Sequence, residues 1–320
     1  MFGMILKFQA LLEKLKQNKR LWFTTLTMVS LLGIAGTLSY LNTMTSRAAK
    51  NLYAATSISY FQDIDTRLTN TFEKISILGV TLLDDQNFVA IMNSANTTAI
   101  NERLSKVASQ VNTIDKNMIA IDLYNKNGVK IGSSEDNVTL SPTPYDLKGL
   151  KQAITTNQFA STIEYQDGKV YLAAYFPTQN GILETKKSID YLVEEYTQKD
   201  QIFQVLLDKD FLNMQNVQQF GYKKVGKSQI SVQANTDDDF LEKIDALDFD
   251  EIIKNKYILT DENFILAKPI VDIDNKRIGM ILISENILKE NGLPNMTHSI
   301  STGITIAAMG LVVSLLVLMI

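Results

Sequence analysis

Two runs without a charged side chain frame this chain, residues 21–41 and residues 300–320. At about 1.5 Å per residue each would span roughly 31 Å as a helix, enough for a bilayer core of about 30 Å. Both are therefore expected to cross a membrane, and residues 42–299 between them read as mixed, globular sequence. Beyond the first run, Phe61, Ile64, Leu68, Phe72, Ile75, Leu78 and Leu82 recur at spacings of three and four. That spacing puts them on one face of a long helix reaching about residue 84. It serves either as a dimer seam or as a spine for the module. A second helix is predicted over 98–111.

The period then shortens. Residues 118–124 and 129–133 predict two strands around the turn Asn125, Lys126, Asn127, Gly128. A polar stretch with Pro142 and Pro144 leads to a helix over 147–155. Strands at 161–165, 169–176 and 182–185 follow. The order then recurs: a helix over 188–201, strands at 202–207 and 227–234, a helix over 240–253, and a closing hairpin of 263–271 with 277–284. The repeat is visible in the letters. YLAAYFP at 171–177 followed by GILE at 181–184 matches FILAKP at 264–269 followed by GMIL at 279–282, and Pro177 and Pro269 stand 92 residues apart. Two similar small domains in series are expected, each a sheet with helices on one side.

Charge sets the orientation. Lys7, Lys14, Lys16, Lys19 and Arg20 precede the first run against one acid, Glu13. Short basic flanks stay cytoplasmic, so the module is expected outside the inner membrane of a bacterium. The remaining 26 basic and 34 acidic side chains leave a net charge of about −8, which argues against a nucleic-acid partner. No cysteine and one histidine, His298, exclude disulfides, thiolate chemistry and a zinc site. Asp237, Asp238 and Asp239 read as a helix cap, with Asp239 as the capping residue, and Asp272 to Lys276 reads as a hairpin turn. No metal site, no cofactor and no catalytic group is expected. The second run closes on the last residue, so a longer receptor, or one that signals through a partner, is expected. Gly292, Leu293 and Pro294 predict a jointed connection into that run.

The stretches DLYNKNG at 122–128, IDYLV at 189–193, VLLDK at 205–209, AKPIVD at 267–272 and RIGM at 277–280 resemble the double Cache module. That module is the extracytoplasmic sensor of bacterial chemoreceptors and two-component kinases. The resemblance covers about residues 50–287. It implies an α+β fold: a long N-terminal helix and two tandem PAS-like (Cache) antiparallel-sheet domains, flanked by two transmembrane helices. The boundaries read 1–20 leader, 21–41 crossing, 42–92 spine, 93–187 distal domain, 188–287 proximal domain, 288–299 connector and 300–320 crossing. It also implies a small ligand in the distal domain. The Tyr-x-Arg-x-Trp-Tyr signature of amino-acid-binding members is absent.

Candidate ligand contacts follow from period two. Asp122 and Tyr124 share one strand face, as do Tyr171, Ala173 and Tyr175. A loop from Ser141 is expected to close over them, and Arg103 could supply a cation. The expected partners are a small molecule (amino acid, carboxylate, purine or amine), the membrane, a second copy of the chain and a periplasmic binding protein. The expected function is the sensor half of a methyl-accepting chemoreceptor. The alternatives are the sensor of a histidine kinase or cyclic-dinucleotide enzyme, and a membrane-anchored adhesion module.

Overall fold

The computed structural model describes residues 19–94, 96–114, 119–135, 143–212, 222–233 and 236–287, with 302–303, 305–306 and 309–310. Residues 1–18 of the leader, Ser141 and Pro142, Gly292 to Pro294, His298 and most of the second apolar run lie outside the described residues. The chain divides into two units, Thr56–Asn286 and the remainder, Met1–Ala55 with Ile287–Ile320. Both sheets belong to the first of these.

Helix α1 is Lys19–Asp84, 66 residues long. Its stripe behaves as the spacing predicts within the sheet-bearing unit: Ile64, Leu68, Ile75 and Leu82 are buried. Helix α2, Gln86–Met92, starts where the Asp85 carboxylate accepts from the Asn87 N–H. Helix α3 is Thr97–Ile114. Among the described residues no single helix is long and apolar enough to cross a membrane.

The distal sheet has strands β1 Ile119–Asn125, β2 Lys130–Ser133, β3 Ala160–Gln166, β4 Lys169–Pro177 and β5 Gly181–Ser188. Its order is β2-β1-β5-β4-β3 and every pair is antiparallel. Helix α4, Lys148–Thr156, lies between β2 and β3 in sequence. Helix α5, Tyr191–Thr197, leads to the proximal sheet. That sheet has β6 Gln201–Asp208, β7 Lys223–Val225, β8 Gln229–Ser231, β9 Tyr257–Leu259, β10 Asn263–Val271 and β11 Arg277–Asn286. Its order is β7-β8-β6-β11-β10-β9. Helices α6, Asp238–Ile244, and α7, Phe249–Asn255, cover it with Phe240, Leu241, Ile244, Phe249 and Ile252 packed on Leu206, Ile265, Ala267, Met280 and Leu282.

Four local expectations change. β5 runs to Ser188 instead of ending near 185, because it is the central strand and pairs with β1 and β4 throughout. The helix expected over 188–201 is correspondingly short. The helix expected over 240–253 is two helices. Asp248 breaks it, its carboxylate accepting from the Asp250 and Glu251 N–H groups and starting a new N-terminus. The cap of α6 is Asp237, which accepts from the Phe240 N–H, and not Asp239.

A charged site on the distal sheet

Register brings the site together. Asp122 of β1 stands opposite Glu184 of β5, and Glu184 opposite Tyr175 of β4. Lys186 stands opposite Ala120 and Ala173, and Glu164 of β3 opposite Tyr171. Directly opposed residues share a face, so five strands present one continuous surface. Four of the five residues expected from strand alternation lie in its middle: Asp122, Tyr124, Ala173 and Tyr175. Tyr171 lies beside them, its ring centre 4.8 Å from Lys186 Nζ and its hydroxyl turned toward Glu135. Arg103 does not join them. Its guanidinium pairs with Asp85 at 2.9 Å, and α3 packs Ile100 and Leu104 against Gly132 on the other face.

Ionised groups fill the surface. The side chains of Asp122, Glu184, Lys130 and Lys186 are fully buried. Asp122 Oδ2 lies 2.5 Å from Lys186 Nζ and 2.8 Å from Lys130 Nζ, while its Oδ1 accepts from Ser133 Oγ at 2.6 Å. Lys186 also donates to Gln166 Oε1 at 3.0 Å and sits 3.6 Å from Glu184. The Tyr124 hydroxyl donates to Glu184 Oε2 at 2.9 Å and accepts from Gln166 Nε2. Glu184 Oε1 is buried with no hydrogen-bond partner. Glu135 and Asp167, about a third and about a half exposed, form the rim.

These surroundings separate the two central carboxyls. Burial alone would raise Asp122, but the ammonium groups of Lys186 and Lys130 overcome it and hold the acid well below the usual carboxylate range. Burial pushes Glu184 up to about 7, against the pull of Lys186. Burial opposes the charge on Lys186, yet Asp122 and Glu184 keep it protonated far into the alkaline range. One acid is thus ionised at neutral pH, while the other is poised to exchange a proton there.

Helix α4 is the roof. Leu150 and Ala153 are fully buried against Tyr124, Ala173 and Tyr175. Leu147 at its N-cap offers no side-chain acceptor, so an orphan donor at the helix start must look elsewhere. The Gly149 N–H finds Glu164 of β3, whose other oxygen accepts from the Tyr175 hydroxyl at 2.6 Å. Glycine is required there: a Cβ would stand 2.6 Å from the Tyr175 ring and 2.8 Å from Thr162. The first residue of the roof reaches the proximal sheet. Lys148 Nζ lies 2.6 Å from both Asp272 and Asp274 in the β10–β11 turn, and Ile273 packs on the apolar cluster around Tyr124 and Leu150. A cleft of about 450 Å³ opens beside this contact, lined by Leu147, Lys148, Glu164, Tyr165, Leu212 and Asp272 among others. Among the described residues no cluster of histidine and carboxylate side chains is placed to hold a metal ion.

Sequence reasoning missed Lys130, Lys186, Glu184, Glu164 and Gln166. The strand expected at 182–185 stops short of Lys186, and none of its charges is among the expected site residues. The usable signal was that Glu184 and Lys186 share the even-numbered face of one strand.

No protein-family model matches the chain, and no curated protein does. Solved structures overlap it in part, three of them as follows. One is the extracellular domain of a putative histidine kinase, at 11% identity and TM-score 0.45, covering 78% of this chain and 95% of that one. Another is the ligand-binding domain of Mlp24 with asparagine, at 11% identity and TM-score 0.39, covering 80% and 98%. The third is the ligand-binding domain of an amino acid chemoreceptor of Pseudomonas aeruginosa in complex with GABA, at 12% identity and TM-score 0.34, covering 68% and 93%.

Proposed function

We propose that this chain is the sensory part of a transmembrane receptor of a bacterial inner membrane, and that it recognises a small polar ligand on the charged face of the distal sheet. One observation carries the reading: two carboxyls and two ammonium groups meet there, fully buried, around tyrosine hydroxyls and an unpartnered Glu184 oxygen. Desolvating such ions costs several kcal/mol each before pairing offsets it. Groups held against that cost, with their protonation shifted, mark a binding site. The ligand is one that carries complementary charge, an amino acid, carboxylate or amine.

The first apolar run supports the membrane setting by its composition: it carries no charge over residues 21–41, and Met28, Val29 and Leu32 on it are more than 60% exposed, as lipid-facing side chains would be. The basic leader keeps the N-terminus in the cytoplasm and the two sheets outside. Ligand binding signals by favouring one of two arrangements. The roof helix, the Lys148 contact and β11 form the route by which the change leaves the distal sheet. Two copies pair along α1, where Ile58, Ile77 and Val80 remain exposed. The output is that of a methyl-accepting chemoreceptor.

The test is thermal unfolding of the full chain in detergent against amino acids, carboxylates, purines and amines. A ligand of the folded state raises the midpoint in a saturable way. That rise should disappear in Asp122→Asn and in Glu184→Gln. A panel with no saturable shift, or one whose shift survives both substitutions, overturns the reading.

A further inference from the structure

Building on the reading of this face as a binding site, we propose that the ammonium group of Lys130 is the resident occupant of an ammonium subsite, which free primary ammonium compounds fill when it is vacated. Four groups converge on Lys130 Nζ. Asp122 Oδ2 lies 2.8 Å away and Asp167 Oδ2 3.4 Å away. The ring centres of Tyr145 and Tyr124 lie at 4.6 and 5.8 Å. A carboxylate beside aromatic faces is the chemistry that recognises an ammonium ion. The Tyr145 main chain is anchored by its N–H donating to the Gly128 carbonyl at 3.0 Å, and its ring packs edge-on against Tyr124 with centres 5.7 Å apart.

Regular sheet geometry would not put a lysine there. Leu123 pairs with Gly132, but the next residue, Tyr124, pairs with Lys130 and leaves Ile131 as an extra residue. Without this bulge Ile131 would oppose Tyr124, and Lys130 would point to the other face. Bulges of this kind re-aim single side chains beside functional sites. The re-aimed side chain is also the removable one. β2 is a four-residue edge strand with one neighbour in the sheet, and of the two carboxylates at the subsite Asp167 is about half exposed, so the subsite lies next to the surface. Lys186 differs on both counts. It stands on the central strand and keeps Asp122 paired whether or not Lys130 is present. A tethered ammonium has an effective concentration in the millimolar range or above, so a free simple amine competes poorly with Lys130 in the native chain.

The experiment is chemical rescue of the full chain in detergent, with unfolding followed by circular dichroism. Lys130→Ala should melt about 10 °C below the native chain. Propyl- and butylammonium chloride at tens of millimolar should restore roughly 5 °C of this saturably. Sodium chloride and 1-butanol at equal concentration should not. The native chain and Lys130→Met, which fills the space with an uncharged chain, should gain under about 1 °C from the same salts. If Lys130→Ala does not fold in buffer, it should refold in butylammonium chloride and not in sodium chloride. The proposal fails if the alanine variant responds no more than the native or methionine chain, if butanol serves as well, or if the salt gives no refolding. The outcome can be read whatever a metabolite panel does to the native chain, because the probe and the variant are both defined.

Discussion

The two sheets of this molecule share one plan and differ in what lies under their helices. In each, a long hairpin with a proline near the end of its first strand pairs with a strand from earlier in the chain, β4–β5 with β1 in the distal sheet and β10–β11 with β6 in the proximal one. Under α6 and α7 the proximal face is Leu206, Ile265, Ala267, Met280 and Leu282. Along the ladder Asp122, Glu184 and Lys186 of the distal face stand where the proximal sheet has Gln204, Leu282 and Ser284, so ionised groups replace one aliphatic and two neutral polar side chains. A mainly aliphatic face with neutral polar neighbours therefore closes this architecture without a buried ion, apolar burial contributing about 25 cal/mol per Å². The charges of the distal face are not needed for closure, and this is the ground for proposing recognition there.

The comparison can be broken most severely at Asp122. Asp122→Ala leaves two buried ammonium groups facing each other and should cost about 3–5 kcal/mol, with any ligand response abolished, as read by chemical denaturation and the thermal screen. Leu282→Ala in the proximal core should cost about 2–5 kcal/mol through transfer and cavity terms. It should leave the ligand-induced shift in place, and a lost shift would mean that the sheets are not functionally distinct.

A titration sharpens the contrast further. Glu184 has a folded pKa near 7, raised above about 4.3 in the unfolded chain. The folded state then holds a proton that the unfolded state has released, so stability should fall as pH rises from about 5 to 7. Glu184→Gln should flatten that slope in melting curves. Asp122 acts with the opposite sign: its depressed pKa contributes stability that is present above about pH 4 and lost on further acidification. The smallest effect is expected at Lys148→Ala. Lys148 is 42% exposed on its side chain, so stability should change by less than about 1 kcal/mol. Amide exchange in the turn at 272–276 should nevertheless quicken, and unchanged exchange would remove that contact from the route between the sheets.

Helical spacing along α1, period-two alternation, the turns at 125–128 and 272–276 and the 92-residue echo between two prolines sufficed to read an α+β chain of one long helix and two successive sheets. These signals are local, set by side-chain period and backbone turn preference. Strand parity likewise placed Asp122 with Tyr124, and Tyr171 with Ala173 and Tyr175. Tertiary structure alone decided that β5 is the central strand, which makes Glu184 and Lys186 buried partners of Asp122. It also decided that a bulge in β2 turns Lys130 inward, and that Arg103 faces Asp85 across a different surface. The physical reason is that burial depends on which strands become neighbours. Strand order is fixed by the summed packing of the whole domain, and no window of the sequence contains it.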